Sequence, residues 1–157
     1  MLLLFVYLIL ALLVSFLCSI MEAVLLSTPH SYLITKQESG GAWVRKFISL
    51  KSNIDKPISA ILTLNTIAHT VGAAGVGAQA VKIYGEAWFG VISAILTFLI
   101  LVFSEIIPKV IGARFWRELA RFTVHTIQVM IFITYPFVLL SAGITKVFSR
   151  RQNEQST

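Results

Sequence analysis

The chain of 157 residues is 57% hydrophobic and 13% charged, its formal net charge is +6, and its mean hydropathy is +0.84. This composition excludes an ordinary water-soluble domain and predicts a polytopic membrane protein, because several apolar runs reach about 20 residues or more. The positive charge does not indicate a nucleic-acid partner. The basic residues cluster between and after the apolar runs, where they act as topology signals and contact lipid headgroups, so the lipid bilayer is the expected partner.

The first apolar run covers residues 2–27 and predicts a first membrane span. A signal peptide is the alternative, but the run has no basic n-region, is too long, and carries Glu22 where small cleavage-site residues would stand. Ser15, Ser19 and Glu22 follow one another at spacings of four and three residues, so they share one helical face. We expect this polar face to look inward.

Residues 29–57 form a basic loop in which Gly40-Gly41 separates two segments that can form short interfacial helices. By the positive-inside rule this loop is cytoplasmic, which places the N-terminus outside. Five basic residues face two acidic ones in this stretch: Lys36, Arg45, Lys46, Lys51 and Lys56 against Glu38 and Asp55.

A second span is predicted over residues 57–83, with Pro57 in its first turn. The small residues at positions 72–78 let helices approach closely, so this half should cross a neighbouring helix or a symmetry mate. Asn65 can form an interhelical hydrogen bond or act as a ligand. For His69 a packing or hydrogen-bonding role is the simpler interpretation, because no second His or Cys lies at metal-ligand spacing.

The third span, predicted over residues 87–109, follows a short turn with little charge bias and ends in Glu-Ile-Ile-Pro-Lys at residues 105–109. A carboxylate is expensive in hydrocarbon, so Glu105 should face protein, water or a cation. In an α-helix Pro108 leaves the carbonyl of Ser104 without a partner, beside that carboxylate. Hard cations bind both kinds of oxygen, so we hypothesise that Glu105 lies in an ion site.

A simpler interpretation of the same motif remains open. Lys109 follows Glu105 by four residues, which is the favourable order for a helical Glu–Lys pair, so the two charges can neutralise each other near the interface. Proline is also tolerated in membrane helices for reasons unrelated to ligands.

The last apolar stretch, residues 122–148, is long enough for a fourth span, but basic residues precede and follow it and Pro136 lies near its middle. Both ends therefore favour the cytoplasm. We predict a bent, re-entrant or belt-like juxtamembrane helical segment over about 114–149, with a complete fourth span as the alternative. Residues 1–151 then form one transmembrane domain, and residues 152–157 a polar tail, disordered or at a truncation point.

The order of these features resembles the transmembrane domain of the CorC and cyclin M magnesium transporters over residues 1–150. The resemblance rests on a first span with Ser19 and Glu22, a basic loop, Leu-Asn-Thr at residues 64–66, and the Glu-x-x-Pro-Lys motif at residues 105–109. It implies an all-α homodimer with three transmembrane helices and a juxtamembrane belt per subunit. It also implies outward Mg²⁺ transport with Na⁺ coupling. We expect a prokaryotic inner-membrane (plasma membrane) location with the C-terminus in the cytoplasm.

By the same resemblance, the oxygen ligands of Mg²⁺ are the Ser19 hydroxyl, the Asn65 amide oxygen, the Glu105 carboxylate and the Ser104 carbonyl. Glu22 and His69 are candidates for a second ion or for gating. The chain departs from the family pattern at three positions, which affects ligand number and metal preference: Ser104 and Met21 stand where glycine and a small residue are expected, and His69 stands where a second asparagine is expected.

Such transporters continue into cytoplasmic CBS domains, and nothing after Arg151 can supply these. We therefore expect an isolated membrane domain, with the regulatory domains belonging to the full-length protein. An intramembrane hydrolase is the first rival function, but the sequence lacks His-Glu-x-x-His, and no enzyme activity is expected. A non-transporting membrane scaffold or Mg²⁺ sensor is the alternative function.

Overall fold

A computed structural model describes the backbone of residues 1–154 and the side chains of residues 1–147. A 3₁₀ turn at Glu86–Trp88 and a π-helical segment at Ile100–Ile106 precede and follow the helix Phe89–Leu99. The other elements are α-helices: α1 (Leu2–Ser27), α2 (His30–Thr35), α3 (Ala42–Ser52), α4 (Asp55–Tyr84), α5 (Phe89–Leu99), α6 (Ile107–Arg114), α7 (Trp116–Ile133) and α8 (Tyr135–Glu154).

Three helical stretches are long and apolar enough to cross a membrane, namely Leu2–Ser27, Asp55–Tyr84 and Glu86–Arg114. The predicted all-α membrane fold with three spanning helices is therefore confirmed. The third stretch joins the 3₁₀ turn, α5, the π segment and α6, and it continues past Lys109 to Arg114. Gly85 separates the second and third stretches with φ +84°, a left-handed conformation that glycine adopts without steric cost.

Helix α1 is the centre of the bundle, because it packs against α4, the π segment, α6 and α7. Its C-terminal half supplies Cys18, Met21, Val24 and Leu25 to the buried core, which also takes side chains from α2, α3, α4 and α7. Its N-terminal half instead exposes large apolar side chains, as does the third stretch. Such faces are what a membrane helix presents to lipid.

Small residues set the distance between α1 and its neighbours. A Cβ at Gly112 of α6 would lie 2.8 Å from both the Cβ of Ala23 and the carbonyl oxygen of Ile20. A Cβ at Gly72 of α4 would overlap the side chain of Ala11. The close helix crossing predicted from the small residues of α4 is therefore a crossing with α1 of the same chain.

The last apolar stretch is bent, as predicted, because α7 and α8 meet at 85°. The break falls at Thr134, whose side-chain hydroxyl donates to the carbonyl of Met130 at 2.7 Å. Pro136 is the second residue of α8, a position where its missing N–H breaks no helical hydrogen bond. Of the predicted polar tail, residues 152–154 continue α8 and residues 155–157 lie outside the described residues.

Lys51 joins the basic loop of residues 29–57 to the end of the first span. Its Nζ atom on α3 donates to the carbonyls of Leu25 at 3.0 Å and Thr28 at 2.7 Å, at the C-terminal end of α1. The last carbonyls of a helix have no partner within the helix, and a lysine satisfies them well. Burial lowers the pKa of the Lys51 ammonium below its ordinary value.

Candidate ion site

The third stretch is π-helical where it carries Glu105, and this changes the hydrogen-bond register at Pro108. In this segment the N–H of Ile107 donates to the carbonyl of Val102, five residues earlier. The extra residue per turn shifts the hydrogen-bond register, so Pro108 stands opposite the carbonyl of Phe103 rather than that of Ser104. Pro108 would free the carbonyl of Ser104 only in an α-helical register, so Ser104 as a backbone ligand stays a prediction that rests on the resemblance. π segments within α-helices occur frequently at functional sites.

The Glu105 carboxylate contacts the second span and a lysine of its own stretch. Its Oε1 atom accepts a hydrogen bond from Nδ2 of Asn65 at 3.1 Å and lies 3.7 Å from Nε2 of His69, both on α4. Its Oε2 atom lies 3.2 Å from Nζ of Lys109, one turn further along the same stretch. Glu105 therefore faces protein, as expected from the cost of a carboxylate in hydrocarbon.

Lys109 extends this network to α1. Its Nζ atom is also 3.2 Å from Oε2 of Glu22, so one ammonium bridges two carboxylates from different helices. The helical Glu–Lys pair, which was the simpler interpretation of the motif, is thus present as one half of a three-residue bridge. The other half could not be found by spacing along the chain.

Ser15 belongs to the same network, at the end opposite Lys109. Its Oγ atom is hydrogen-bonded to Nε2 of His69. Ser15 is buried and lies one turn before Ser19 on the polar face of α1. Its position on that face was predicted from the spacing, but no role was predicted for it. His69 is therefore a satisfied hydrogen-bonding residue within the network.

Two buried oxygen atoms at this site have no hydrogen-bond partner among the described residues, Oγ of Ser19 and Oδ1 of Asn65. Ser19 is fully buried and lies on the α1 face between Ser15 and Glu22, both of which contact the network. Most buried polar atoms in proteins are hydrogen-bonded, so each exception needs an explanation, and a bound ion is one such explanation.

The predicted ligands therefore differ in how directly they contact one another. Asn65, Glu105 and His69 are brought into direct contact, and Glu22 joins them through Lys109. Ser104 is buried against α1, where its hydroxyl donates to the carbonyl of Leu12 at 3.4 Å. The Ser104 hydroxyl is therefore hydrogen-bonded to α1, beside the network.

The donor set consists mainly of oxygen. In the described part of the chain, no group of three or more His, Cys, Asp or Glu side chains is arranged to hold a metal ion. The available donors are a carboxylate, an amide oxygen and a hydroxyl, which Mg²⁺ and similar hard cations accept, whereas structural zinc sites use Cys and His.

The fold and this network together define a polytopic all-α membrane domain with a charged polar network between its spanning helices. The sequence model described as the cyclin M transmembrane N-terminal domain matches residues 6–157. The chain belongs to this family, which confirms the resemblance drawn from its motifs.

Three relatives named as UPF0053 proteins align with most of this chain. The chain is 35% identical to the UPF0053 protein sll1254 of Synechocystis over 140 residues, which is 89% of this chain and 40% of that protein. It is 32% identical to a UPF0053 protein of Haemophilus influenzae, covering 91% of this chain and 34% of that protein. It is 26% identical to the UPF0053 inner membrane protein YfjD of Escherichia coli, covering 72% and 26%. The chain thus spans two fifths or less of the length of these relatives.

Proposed function

We propose that this chain is the membrane domain of a divalent-cation transporter whose cargo is Mg²⁺. The proposal is supported by membership of the cyclin M transmembrane family and by a set of oxygen donors between three spanning helices. The cargo would be held by the Glu105 carboxylate, the Asn65 amide oxygen and the Ser19 hydroxyl, with the Ser104 carbonyl as a further ligand.

The proposal is carried by two buried oxygens, Oγ of Ser19 and Oδ1 of Asn65, that have no hydrogen-bond partner in the part of the chain that the structure describes. They lie on the two helices next to Glu105. The Nδ2 atom of Asn65 donates a hydrogen bond to Glu105. This bond fixes the orientation of the amide and leaves Oδ1 available to a cation. Neutral oxygens beside one carboxylate suit Mg²⁺, which needs near-octahedral oxygen coordination and gives up its water reluctantly.

Transport requires the same site to open alternately to the two sides of the membrane, through rocking of the helices around it. We propose export as the direction and Na⁺ as a coupling ion, with Glu22 and His69 at the second ion site or gate. We propose that helix α1 takes part in this rocking, because it contacts α4, the π segment and α6.

The whole transporter is proposed to be a homodimer in a prokaryotic inner membrane, with its N-terminus outside and its C-terminus in the cytoplasm. The relatives are longer than this chain, and one of them is described as an inner membrane protein. This agrees with cytoplasmic regulatory domains in the full-length protein. Reporter fusions at the two termini test the orientation, and opposite sidedness to that stated would refute it.

The direct test is Mg²⁺ efflux from proteoliposomes that contain the purified chain. We expect Glu105→Ala to reduce efflux to the level of protein-free vesicles, because the variant loses the only charged ligand proposed for the cargo. Glu38→Ala is the matched control, because Glu38 is an exposed carboxylate outside the network. Unchanged efflux in Glu105→Ala would refute the proposed site.

A non-transporting scaffold or Mg²⁺ sensor is the second candidate function. The observation that favours it is the pairing of Glu105 with Lys109, which gives the carboxylate a structural role without any ion. A sensor would be stabilised by Mg²⁺ without conducting it, and a scaffold would show neither response. No enzymatic step is proposed.

A further inference from the structure

Lys109 lies between two carboxylates that belong to different helices. Its ammonium is 3.2 Å from Oε2 of Glu105 in its own stretch and 3.2 Å from Oε2 of Glu22 on α1. Its side chain is 44% exposed, whereas those of Glu22 and Glu105 are 24% and 23% exposed. The lysine side chain is therefore less enclosed by protein than the two carboxylates that it bridges.

The ammonium and a divalent cation would use the same group. Glu105 already directs Oε1 to Asn65, and its Oε2 is taken by Lys109. A divalent cation coordinated by Glu105 would lie within a few ångströms of the ammonium, where two positive charges repel strongly in a partly buried site. The ammonium and the divalent cation therefore cannot both pair closely with Glu105 at the same time.

We propose that Lys109 is a tethered cation that competes with the cargo for Glu105 and withdraws to Glu22 when the cargo binds. This inference rests on the proposed function, and it adds a residue that sets the cation concentration at which the site fills. Glu22 keeps the displaced ammonium paired, so the exchange leaves no buried charge alone.

The chemistry of lysine suits this exchange. Its ammonium is a compact point charge on a flexible four-carbon stem, which can leave one carboxylate without breaking a fixed bidentate geometry. Because Glu22 is on α1 and Lys109 on α6, the exchange also changes the charge contact between these two helices when the cargo arrives. The resting ion pair stabilises the cargo-free arrangement.

The test compares the thermal unfolding of the purified chain and its variants in titrations with Mg²⁺ alone. We expect Lys109→Met to unfold at a lower temperature than the wild type without Mg²⁺, because two carboxylates lose their shared partner. We expect its half-saturating Mg²⁺ concentration to fall by about tenfold, because the competitor is gone. A purely structural role for Lys109 would produce the first effect without the second.

Two further variants keep the test decisive. Lys109→Gln is a polar replacement in case Lys109→Met fails to fold, and it should also lower the half-saturating concentration. Lys109→Arg retains the charge and should stay within about twofold of the wild type or bind more weakly. Lys82→Met is the matched control, since Lys82 is exposed and lies roughly 20 Å along α4 from His69, and it should behave as the wild type.

The two possible failures are distinguishable. If the wild type is stabilised by Mg²⁺ while the Lys109→Met and Lys109→Gln variants bind it equally or less tightly, the competition is refuted and the proposed ion site stands. If Mg²⁺ stabilises neither the wild type nor the variants, the proposed function fails and the competition fails with it.

Discussion

The Nδ2 atom of Asn65 donates a hydrogen bond to Oε1 of Glu105 at 3.1 Å, and this contact joins the second spanning helix to the π segment of the third. It fixes the orientation of the Asn65 amide, so that Oδ1 is the buried atom without a partner among the described residues. One side chain thus supports the carboxylate with its nitrogen and offers an oxygen to the site.

Asn65→Asp should lower the stability of the protein without Mg²⁺ and increase its stabilisation by Mg²⁺. Without Mg²⁺ two carboxylates then face each other, and we expect the free energy of unfolding to fall by about 1–2 kcal/mol. With Mg²⁺ the additional carboxylate should make the stabilisation larger than in the wild type. Thermal unfolding with and without Mg²⁺ measures both effects. Thr66→Val, an exposed neighbour on α4, is the control; a smaller Mg²⁺ response in Asn65→Asp than in the wild type would contradict the account.

Ser19→Ala and Ser15→Ala should separate a ligand from a structural hydroxyl. Ser19 has no protein partner among the described side chains, so its removal should change the free energy of unfolding by less than about 0.5 kcal/mol without Mg²⁺. Its removal should raise the half-saturating Mg²⁺ concentration by at least about tenfold. Ser15→Ala breaks the hydrogen bond to His69 and should destabilise the protein by about 1 kcal/mol. Equal Mg²⁺ affinity in Ser19→Ala and the wild type would remove Ser19 from the ligand set.

Gly112→Ala should loosen the contact between α6 and α1. The added Cβ would lie 2.8 Å from the Cβ of Ala23 and from the carbonyl oxygen of Ile20, so a helix must shift. We expect a loss of about 1–3 kcal/mol, measured as a lower unfolding temperature. Gly90→Ala is the matched control, because a Cβ there meets no atom within 4 Å, and it should be neutral or stabilising by up to about 1 kcal/mol. Equal stability of the two variants would argue against the close approach of these helices.

Lys51→Met should detach α3 from the end of α1. The ammonium of Lys51 satisfies two carbonyls that have no partner within the helix, and removing it should cost about 1–2 kcal/mol. Lys46→Met on the exposed face of α3 should change stability by less than about 0.5 kcal/mol. Chemical unfolding in detergent micelles compares the two variants, and a loss of similar size in both would indicate a general charge effect.

The sequence predicted the parts of this fold that depend on single helices. The length of each apolar run predicted the three spans, and the spacing of Ser15, Ser19 and Glu22 predicted the polar face of α1, on which Ser15 and Ser19 are buried. Basic residues at both ends of the last stretch predicted its bend, because charge and length could not both be satisfied by one straight span.

The parts that the sequence did not predict depend on how helices meet. The π segment shifts the register at Pro108, and a pattern with a period of 3.6 residues does not reveal one extra residue in a turn. The bridge from Lys109 to Glu22 and the contact of Ser15 with His69 join residues that are 87 and 54 positions apart. Only the crossing of α1 with α4 and α6 brings them together.

The most direct test of the proposed ion site is the position of a hard divalent cation in crystals of the purified chain grown with Mn²⁺, which shares the preference of Mg²⁺ for octahedral oxygen coordination. We expect an anomalous scattering peak within about 2.5 Å of a Glu105 carboxylate oxygen, Oδ1 of Asn65 and Oγ of Ser19. We also expect Nζ of Lys109 to contact Glu22 alone in that crystal. A Mn²⁺ peak elsewhere in the protein, with Lys109 still bridging Glu22 and Glu105, would contradict it.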